Sequence, residues 1–280
     1  MREIAAARVT ETVAQLYKDA SFHVRRDFLE AMKRGVEIEE SPVGKDVLRE
    51  LIRNYELADT QEVPMCQDTG TPVLGVDLGQ DAHIIGGDLT DAINEGVRRA
   101  TREGYLRASL VGDPLERKNT GDNTPAPVHY DIVPGDQVRI WIAPKGGGSE
   151  NMGAVKLMKP ADGVEGIKQF VWDTVRAAGP NPCPPLIVGV GIGGTMDQAA
   201  WNSKRAVYRL LGSKNPKPHL AQLEAELLGI VNGTGVGPAG FGGTFTTAGV
   251  HIETAPCHIA SMPVAITLLC NAARYAEATI

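Results

Sequence analysis

Four cysteines occupy unusual sequence contexts; a buried cysteine is more often a small core hydrophobe, but proline-bracketed and turn-placed ones are less often filler. Cys66 lies in Pro64-Met65-Cys66-Gln67-Asp68-Thr69-Gly70, and Cys183 in Asn181-Pro182-Cys183-Pro184-Pro185. The bracketing prolines fix φ and hold the second thiol in a stiff loop. Cys257 precedes His258, and Cys270 closes the apolar run 262–270. No pair shows C-x-x-C spacing, which disfavours a zinc ribbon or a ferredoxin-type cluster. Metal ligand, catalytic group and core filler all stay open for each thiol, because spacing alone cannot bring distant loops together.

Two glycine runs and a polar turn add to this set. Lys145-Gly146-Gly147-Gly148-Ser149-Glu150-Asn151 lets backbone N–H groups approach an anion, but it lacks the P-loop pattern. Gly189-Val190-Gly191-Ile192-Gly193-Gly194 fits the dinucleotide fingerprint G-x-G-x-x-G after an expected strand. The fingerprint also needs an acidic residue about 20 positions on, and no Asp or Glu occurs between Ala199 and Gln222. A tight strand-to-helix turn is the better reading, with a nucleotide-binding protein as a competing one. Asn119-Thr120-Gly121-Asp122-Asn123-Thr124-Pro125 is either a capped loop or the wall of a polar substrate pocket.

Periodicity gives the elements that must position these residues. Apolar residues at helical spacing (Ile4, Val9, Val13, Leu16; Phe28, Leu29, Met32; Val47, Leu48, Leu51, Ile52) predict three helices over residues 3–58. Ser41-Pro42 is a helix start with proline at the first position. Short strand-like runs follow at 73–76, 128–133 and 138–142, the last two reading as a hairpin across Pro134-Gly135-Asp136-Gln137. Helices are expected at 89–103, 163–178, 197–211 and 219–228. A buried strand is expected at 185–190, and a short helix after the run 262–270. Residues 1–69 hold only Gly35 and Gly44, whereas residues 186–249 hold thirteen glycines. With no repeat and no Ser/Gly linker, the expectation is one mixed α/β (α+β) domain over 1–280: a helical N-terminal segment, 1–60, followed by mixed β-sheets flanked by helices, 61–280.

Composition excludes several classes. The 42% hydrophobic and 22% charged residues are globular values. A net charge of −6 argues against sequence-independent nucleic-acid binding and against a polybasic membrane anchor. The longest apolar run is far short of the ~20 residues that cross a bilayer. Residues 1–13 have no apolar stretch of the signal-peptide kind, so a cytoplasmic location with reduced thiols is expected.

Taken together, these strings resemble the class I (iron–sulfur) fumarase and tartrate dehydratase family, in its α subunit. The matching elements occur in the family's order: Cys66-Gln67-Asp68-Thr69-Gly70, Leu106-Arg107, Asn119-Thr120-Gly121 with Asn123, Lys145 to Ser149, Cys183-Pro184-Pro185, and His258 twelve residues before Cys270. The resemblance implies a [4Fe–4S] cluster on Cys66, Cys183 and Cys270 with one iron open to substrate, leaving Cys257 as a packing residue. It implies substrate contacts from Gln67, Asp68, Arg107, Gly148, Asn151 and His258, with Asp68 and His258 catalytic; turn capping is the plain alternative for Asp68. It also implies a C4 dicarboxylate substrate and a β subunit, in an α2β2 assembly, that brings the general base and further cationic clamps. Lys145 before the three glycines and Ser149 after them resemble the fumarase branch, with L-tartrate dehydratase as the alternative. Lys145 would suit a dianionic substrate, or would simply be solvated. A non-catalytic assembly subunit is a third reading.

Overall fold

The computed structural model describes residues 1–280. In chain order the elements are β1 (Arg2–Ala5), α1 (Ala6–Phe22), α2 (Arg26–Ile38), α3 (Pro42–Gln61), β2 (Thr71–Gly79), β3 (Ala82–Ile85) and α4 (Leu89–Glu103). Then come β4 (Val128–Val133), β5 (Val138–Lys145), α5 (Gly147–Glu150), β6 (Ala154–Met158), α6 (Gly163–Ala178) and β7 (Leu186–Gly193). The chain closes with α7 (Met196–Ala206), α8 (Pro218–Asn232), β8 (Thr247–Ala255), β9 (Met262–Leu269) and β10 (Ala276–Thr279). This is the expected mixed α/β class, and the three N-terminal helices are present. At Ser41-Pro42 the serine hydroxyl accepts the Gly44 N–H at 3.1 Å, which fixes the start of α3. No helix is long and apolar enough to cross a membrane.

The chain divides into two compact units, one of residues 1–25, 54–147 and 274–280, the other of 26–53 and 148–273. The first unit is built on a four-stranded sheet in the order β10-β5-β2-β4. One face packs α1 and α4 through Val9, Val13, Tyr17, Ile93 and Val97 against Leu74, Val76, Ile140 and Ile142. Each such apolar side chain contributes about 1.5–3 kcal/mol on burial. Gly96 lets the two helices close, since a Cβ there would stand 2.8 Å from the Thr10 carbonyl.

Two expectations fail in this unit. The strands β4 and β5 form no hairpin: β2 lies between them, parallel to β4 and antiparallel to β5. Val73, Leu74 and Val76 are all buried, so β2 belongs at the sheet centre. The Pro134–Gln137 turn instead wraps the end of β2, where Gly79 N–H donates to the Gln137 carbonyl and Asp81 N–H to that of Gly135. The expected terminal helix is also absent. Residues 276–279 form β10, antiparallel to β5, and Ile280 exchanges both backbone hydrogen bonds with Val138. Sheet pairing here overrides the helix propensity of Ala-Glu-Ala.

The second unit is a three-layer stack on a sheet ordered β6-β9-β7-β8. On one face α6 and α8 bury Val171, Val175, Leu223, Leu227 and Val231 against Val188, Val190, Val264 and Ile266. On the other face α7 comes down onto the glycines of β7. A Cβ on Gly189 would stand 2.1 Å from the Ser203 carbonyl, and one on Gly191 2.0 Å from that of Ala199. The glycine run is therefore a packing device, and its dinucleotide-fingerprint reading has no support in the geometry. The helix expected to reach residue 211 ends at Ala206, where Tyr208 and Arg209 donate to carbonyls three residues back. Strand β8 carries no clean apolar alternation and was not expected.

Candidate active site

In the first unit the Cys66–Gly70 segment links the end of α3 to β2. Met65 anchors it: its N–H donates to the Ser21 carbonyl at 3.0 Å, and its carbonyl accepts from Asn54 Nδ2 at 2.9 Å. Beyond that anchor Cys66 and Asp68 are half-buried and Gln67 is exposed. Asp68 ties the segment to the glycine loop. Its Oδ1 accepts the Gly70 N–H at 3.0 Å, the expected turn cap, and its Oδ2 accepts the Gly147 N–H at 2.8 Å. Glycine is needed for this approach: Gly70 has φ +76°, and a Cβ on it would stand 2.4 Å from the Lys145 carbonyl. The Lys145 side chain is 1% exposed, so the solvated-lysine reading does not hold.

Beneath the segment lies a residue to which the sequence reading gave no role. Arg274 is 2% exposed, and its Nη1 donates to the carbonyls of Asp68 at 2.6 Å and Thr69 at 2.9 Å. Nothing in its sequence neighbourhood marks it out.

Arg107 is exposed, and the polar turn braces its backbone. Asn123, fully buried with φ +60°, donates from Nδ2 to the Arg107 carbonyl at 3.0 Å and accepts the Ser109 N–H at 2.6 Å. Asn119 donates to the Ala108 carbonyl at 3.0 Å and accepts the Gly121 N–H at 2.7 Å. These amides are engaged by the backbone, so the turn is a brace for the 107–109 segment and not a pocket wall.

In the second unit the structure brings Cys183 and Cys270 into one neighbourhood. Asn271, next to Cys270, donates to the Cys183 carbonyl from both its backbone N–H (3.1 Å) and its Nδ2 (2.9 Å). Cys183 is exposed in the left-handed region at φ +54°. The antiparallel pairing of β7 with β9, Ile187 opposite Leu269, explains why the two loops meet. Gly148 joins them, and Asn151 is exposed three residues on. A Cβ on Gly148 would stand 2.8 Å from the Asn181 carbonyl, and Asn181 Nδ2 lies 3.7 Å from the Met152 sulfur. A Glu150–Lys204 ion pair at 2.6 Å pins this loop to α7.

His258 is placed apart from that group. It sits in the turn before β9, whereas Cys270 follows the far end of the strand, and eight extended residues span roughly 25 Å. Its Nδ1 accepts the Ala260 N–H at 3.1 Å, so the neutral ring carries its proton on Nε2. Cys257, expected as a packing residue, is exposed in the same turn with its Sγ 3.2 Å from the Ser261 carbonyl. Apolar burial in this unit comes from the strands and the helices, which leaves a loop cysteine nothing to fill.

None of the four cysteines is in a disulfide, and within neither unit do three His, Cys, Asp or Glu side chains gather at metal-holding distance. Soft thiolate donors on short, exposed or half-exposed loops are the right chemistry for iron–sulfur ligation, and Cys183 and Cys270 lie on two loops that Asn271 joins.

The chain is similar to known proteins along nearly its whole length. Residues 10–279 match the family described as fumarate hydratase (Fumerase). A chain of Methanocaldococcus jannaschii provisionally named L(+)-tartrate dehydratase subunit alpha is 39% identical over 277 residues, covering 96% of each chain. The L(+)-tartrate dehydratase subunit alpha of Escherichia coli strain UTI89 is 34% identical, covering 98% of this chain and 91% of that one. That of strain K12 is 33% identical over the same span.

Proposed function

Since the chain belongs to the fumarate hydratase (Fumerase) family, we propose that it is the α subunit of a hydro-lyase interconverting fumarate and (S)-malate. The observation that carries the reading is the meeting of the Cys183 and Cys270 loops, where Asn271 donates twice to the Cys183 carbonyl. With Cys66 they would hold a [4Fe–4S] cluster. When bound, it would supply an iron without a protein ligand, a Lewis acid toward the substrate's carboxylate and hydroxyl.

The chain's own groups do the rest of the binding. The exposed Arg107 fork takes a carboxylate bidentately, on a backbone that Asn123 holds still. Gln67 offers an amide donor and acceptor beside Cys66, and the Gly148 backbone with the Asn151 amide lines the loop that faces Asn181. Asp68 is the proton-handling group. Its carboxylate is held in one orientation by Gly70 and Gly147, each using one lone pair, and it keeps acceptor capacity for a substrate proton. His258 enters as a substrate contact on family resemblance alone, since β9 separates it from Cys270 within one chain. The base for the Cβ proton and further cationic clamps are assigned to a β subunit in an α2β2 assembly; the relatives' names as α subunits support the existence of a partner subunit. A cytoplasmic setting suits four cysteines that form no disulfide.

The test is anaerobic reconstitution of the chain, followed by addition of its β subunit and fumarate. We expect a brown protein with about four irons per chain, colour lost in Cys66→Ser and Cys270→Ser but kept in Cys257→Ser, and turnover only with both subunits. A colourless, iron-free chain overturns the reading, as does full activity of the α chain alone. A second reading, dehydration of L(+)-tartrate to the enol of oxaloacetate, is favoured by the names of the relatives. Lys145 and Ser149 around the three glycines favour fumarate; kcat/KM for (S)-malate against L(+)-tartrate decides.

A further inference from the structure

The Arg274 guanidinium is enclosed within the first unit at 2% exposure, with its Nε lacking a hydrogen-bond partner. A buried cation is costly unless its surroundings need the charge. Its Nη1 holds two successive carbonyls, those of Asp68 and Thr69. Its other edge lies against the glycine loop, where a Cβ on Gly146 would stand 3.4 Å from Nη2 and 3.1 Å from Asp68 Oδ2. The guanidinium thus underlies both strands of a crossing that the Asp68 carboxylate closes from the side through Gly70 and Gly147.

Arg274 is itself delivered by a well-anchored strand. Tyr275 stacks on Trp141 with ring centroids 6.0 Å apart, and Arg25 lies 5.9 Å over the Tyr275 ring. The Tyr275 hydroxyl donates to Glu277, which also pairs with Arg139 at 2.5 Å, and Arg139 binds Asp77 at 2.9 Å. Burial pushes the Tyr275 hydroxyl pKa up, and the Glu277 carboxylate pushes it further, so the phenol stays a donor. This lattice ties β10 to β5 and β2 and leaves Arg274 little freedom.

We infer that Arg274 is a positioning residue: it fixes the backbone of Asp68 and Thr69 so that the Asp68 carboxylate keeps one orientation toward the glycine loop and the substrate. A neutral amide could hold the two carbonyls as well. The full charge is explained by the negative Asp68 carboxylate, which shares the Gly146 neighbourhood with the guanidinium. The inference rests on the proposed hydro-lyase reading for its kinetic consequence only.

The experiment has two arms. In the full chain without substrate, amide hydrogen exchange is measured for wild type, Arg274→Met and Arg274→Gln. Exchange at Gly70 and Gly147 should rise by about tenfold or more in Arg274→Met while Leu74 and Ile142 stay protected; about tenfold corresponds to 1.4 kcal/mol of opening. In the complex with the β subunit, Arg274→Met should lower kcat about 100-fold with little change in KM, the scale of a misplaced catalytic group. Arg274→Gln should restore the exchange protection and not kcat. Unchanged exchange at Gly70 and Gly147, or kcat within threefold of wild type, overturns the inference. If wild type shows no hydration activity yet the exchange arm behaves as expected, the hydro-lyase reading fails and the positioning of the loop stands. Should Arg274→Met not fold, Arg274→Gln is read by kcat alone, and a value within threefold of wild type overturns the inference.

Discussion

Asp68 in the first unit and Glu39 in the second use the same device, a carboxylate that gathers main-chain N–H groups from a glycine-rich stretch, to different ends. Glu39 is 1% exposed and saturated. Its Oε1 accepts from Glu40 and Ser41, its Oε2 from Phe245 at 2.7 Å, and both oxygens from Thr244. Asp68 is half-buried, accepts one N–H on each oxygen, and lies beside Gln67 and Cys66. A carboxylate with every lone pair committed to buried backbone is a fastener. One with capacity to spare at an accessible edge can hold a proton or a substrate.

The largest test of that contrast is Glu39→Ala. Removing the acceptor strands at least four N–H groups, and a loss of about 4 kcal/mol is expected, read by denaturant unfolding. Asp68→Asn should do the reverse: turnover with the β subunit falls about 100-fold while stability changes by less than about 1 kcal/mol. If Asp68→Asn unfolds the chain as badly as Glu39→Ala, the two carboxylates are the same kind of group and the contrast is lost.

Neighbouring glycines sharpen it. Gly243 has φ +129°, and a Cβ there would stand 2.5 Å from Glu39 Oε1, so Gly243→Ala should cost about 2 kcal/mol in thermal or urea unfolding. A Cβ on Gly147 meets only Asp68 Oδ2, at 3.9 Å, so Gly147→Ala should stay within about 1 kcal/mol of wild type.

The smallest expected effect is in acid. Burial pushes the Glu39 pKa up, but the backbone N–H groups of Ser41, Thr244, Phe245 and Glu40 outweigh it and hold the value below the ordinary glutamate range. A folded pKa below the unfolded one stabilises the protein above about pH 4.3 and loses that contribution as pH falls through the folded value. Wild type should therefore lose more Tm than Glu39→Gln between pH 5 and acid below about pH 4. Parallel curves for the two proteins would remove Glu39 from acid stability.

Much of the local structure is legible in the chain. Helices 89–103 and 163–178 have the bounds their apolar spacing predicts, and Ser41-Pro42 starts α3, because a helix is decided by neighbours three and four residues away. The stiff loop around Cys183 follows from its prolines. The chemistry-bearing strings were legible as family motifs, but their geometry was not. Gly189 and Gly191 look like an anion loop in the sequence and serve the descent of α7 in the fold.

Tertiary structure alone decided the rest. The insertion of β2 between β4 and β5, the pairing of β10 with β5, the meeting of Cys183 with Cys270, and the burial of Arg274 all join residues far apart in sequence. Turn chemistry at 134–137 fits a hairpin or a wrap equally well, and only the burial of β2 chooses. An arginine carries no mark of whether it will meet water or two carbonyls. Propensity and periodicity are written within a turn or two of chain, whereas sheet order and the solvation of a charge depend on which distant segments exclude water from it.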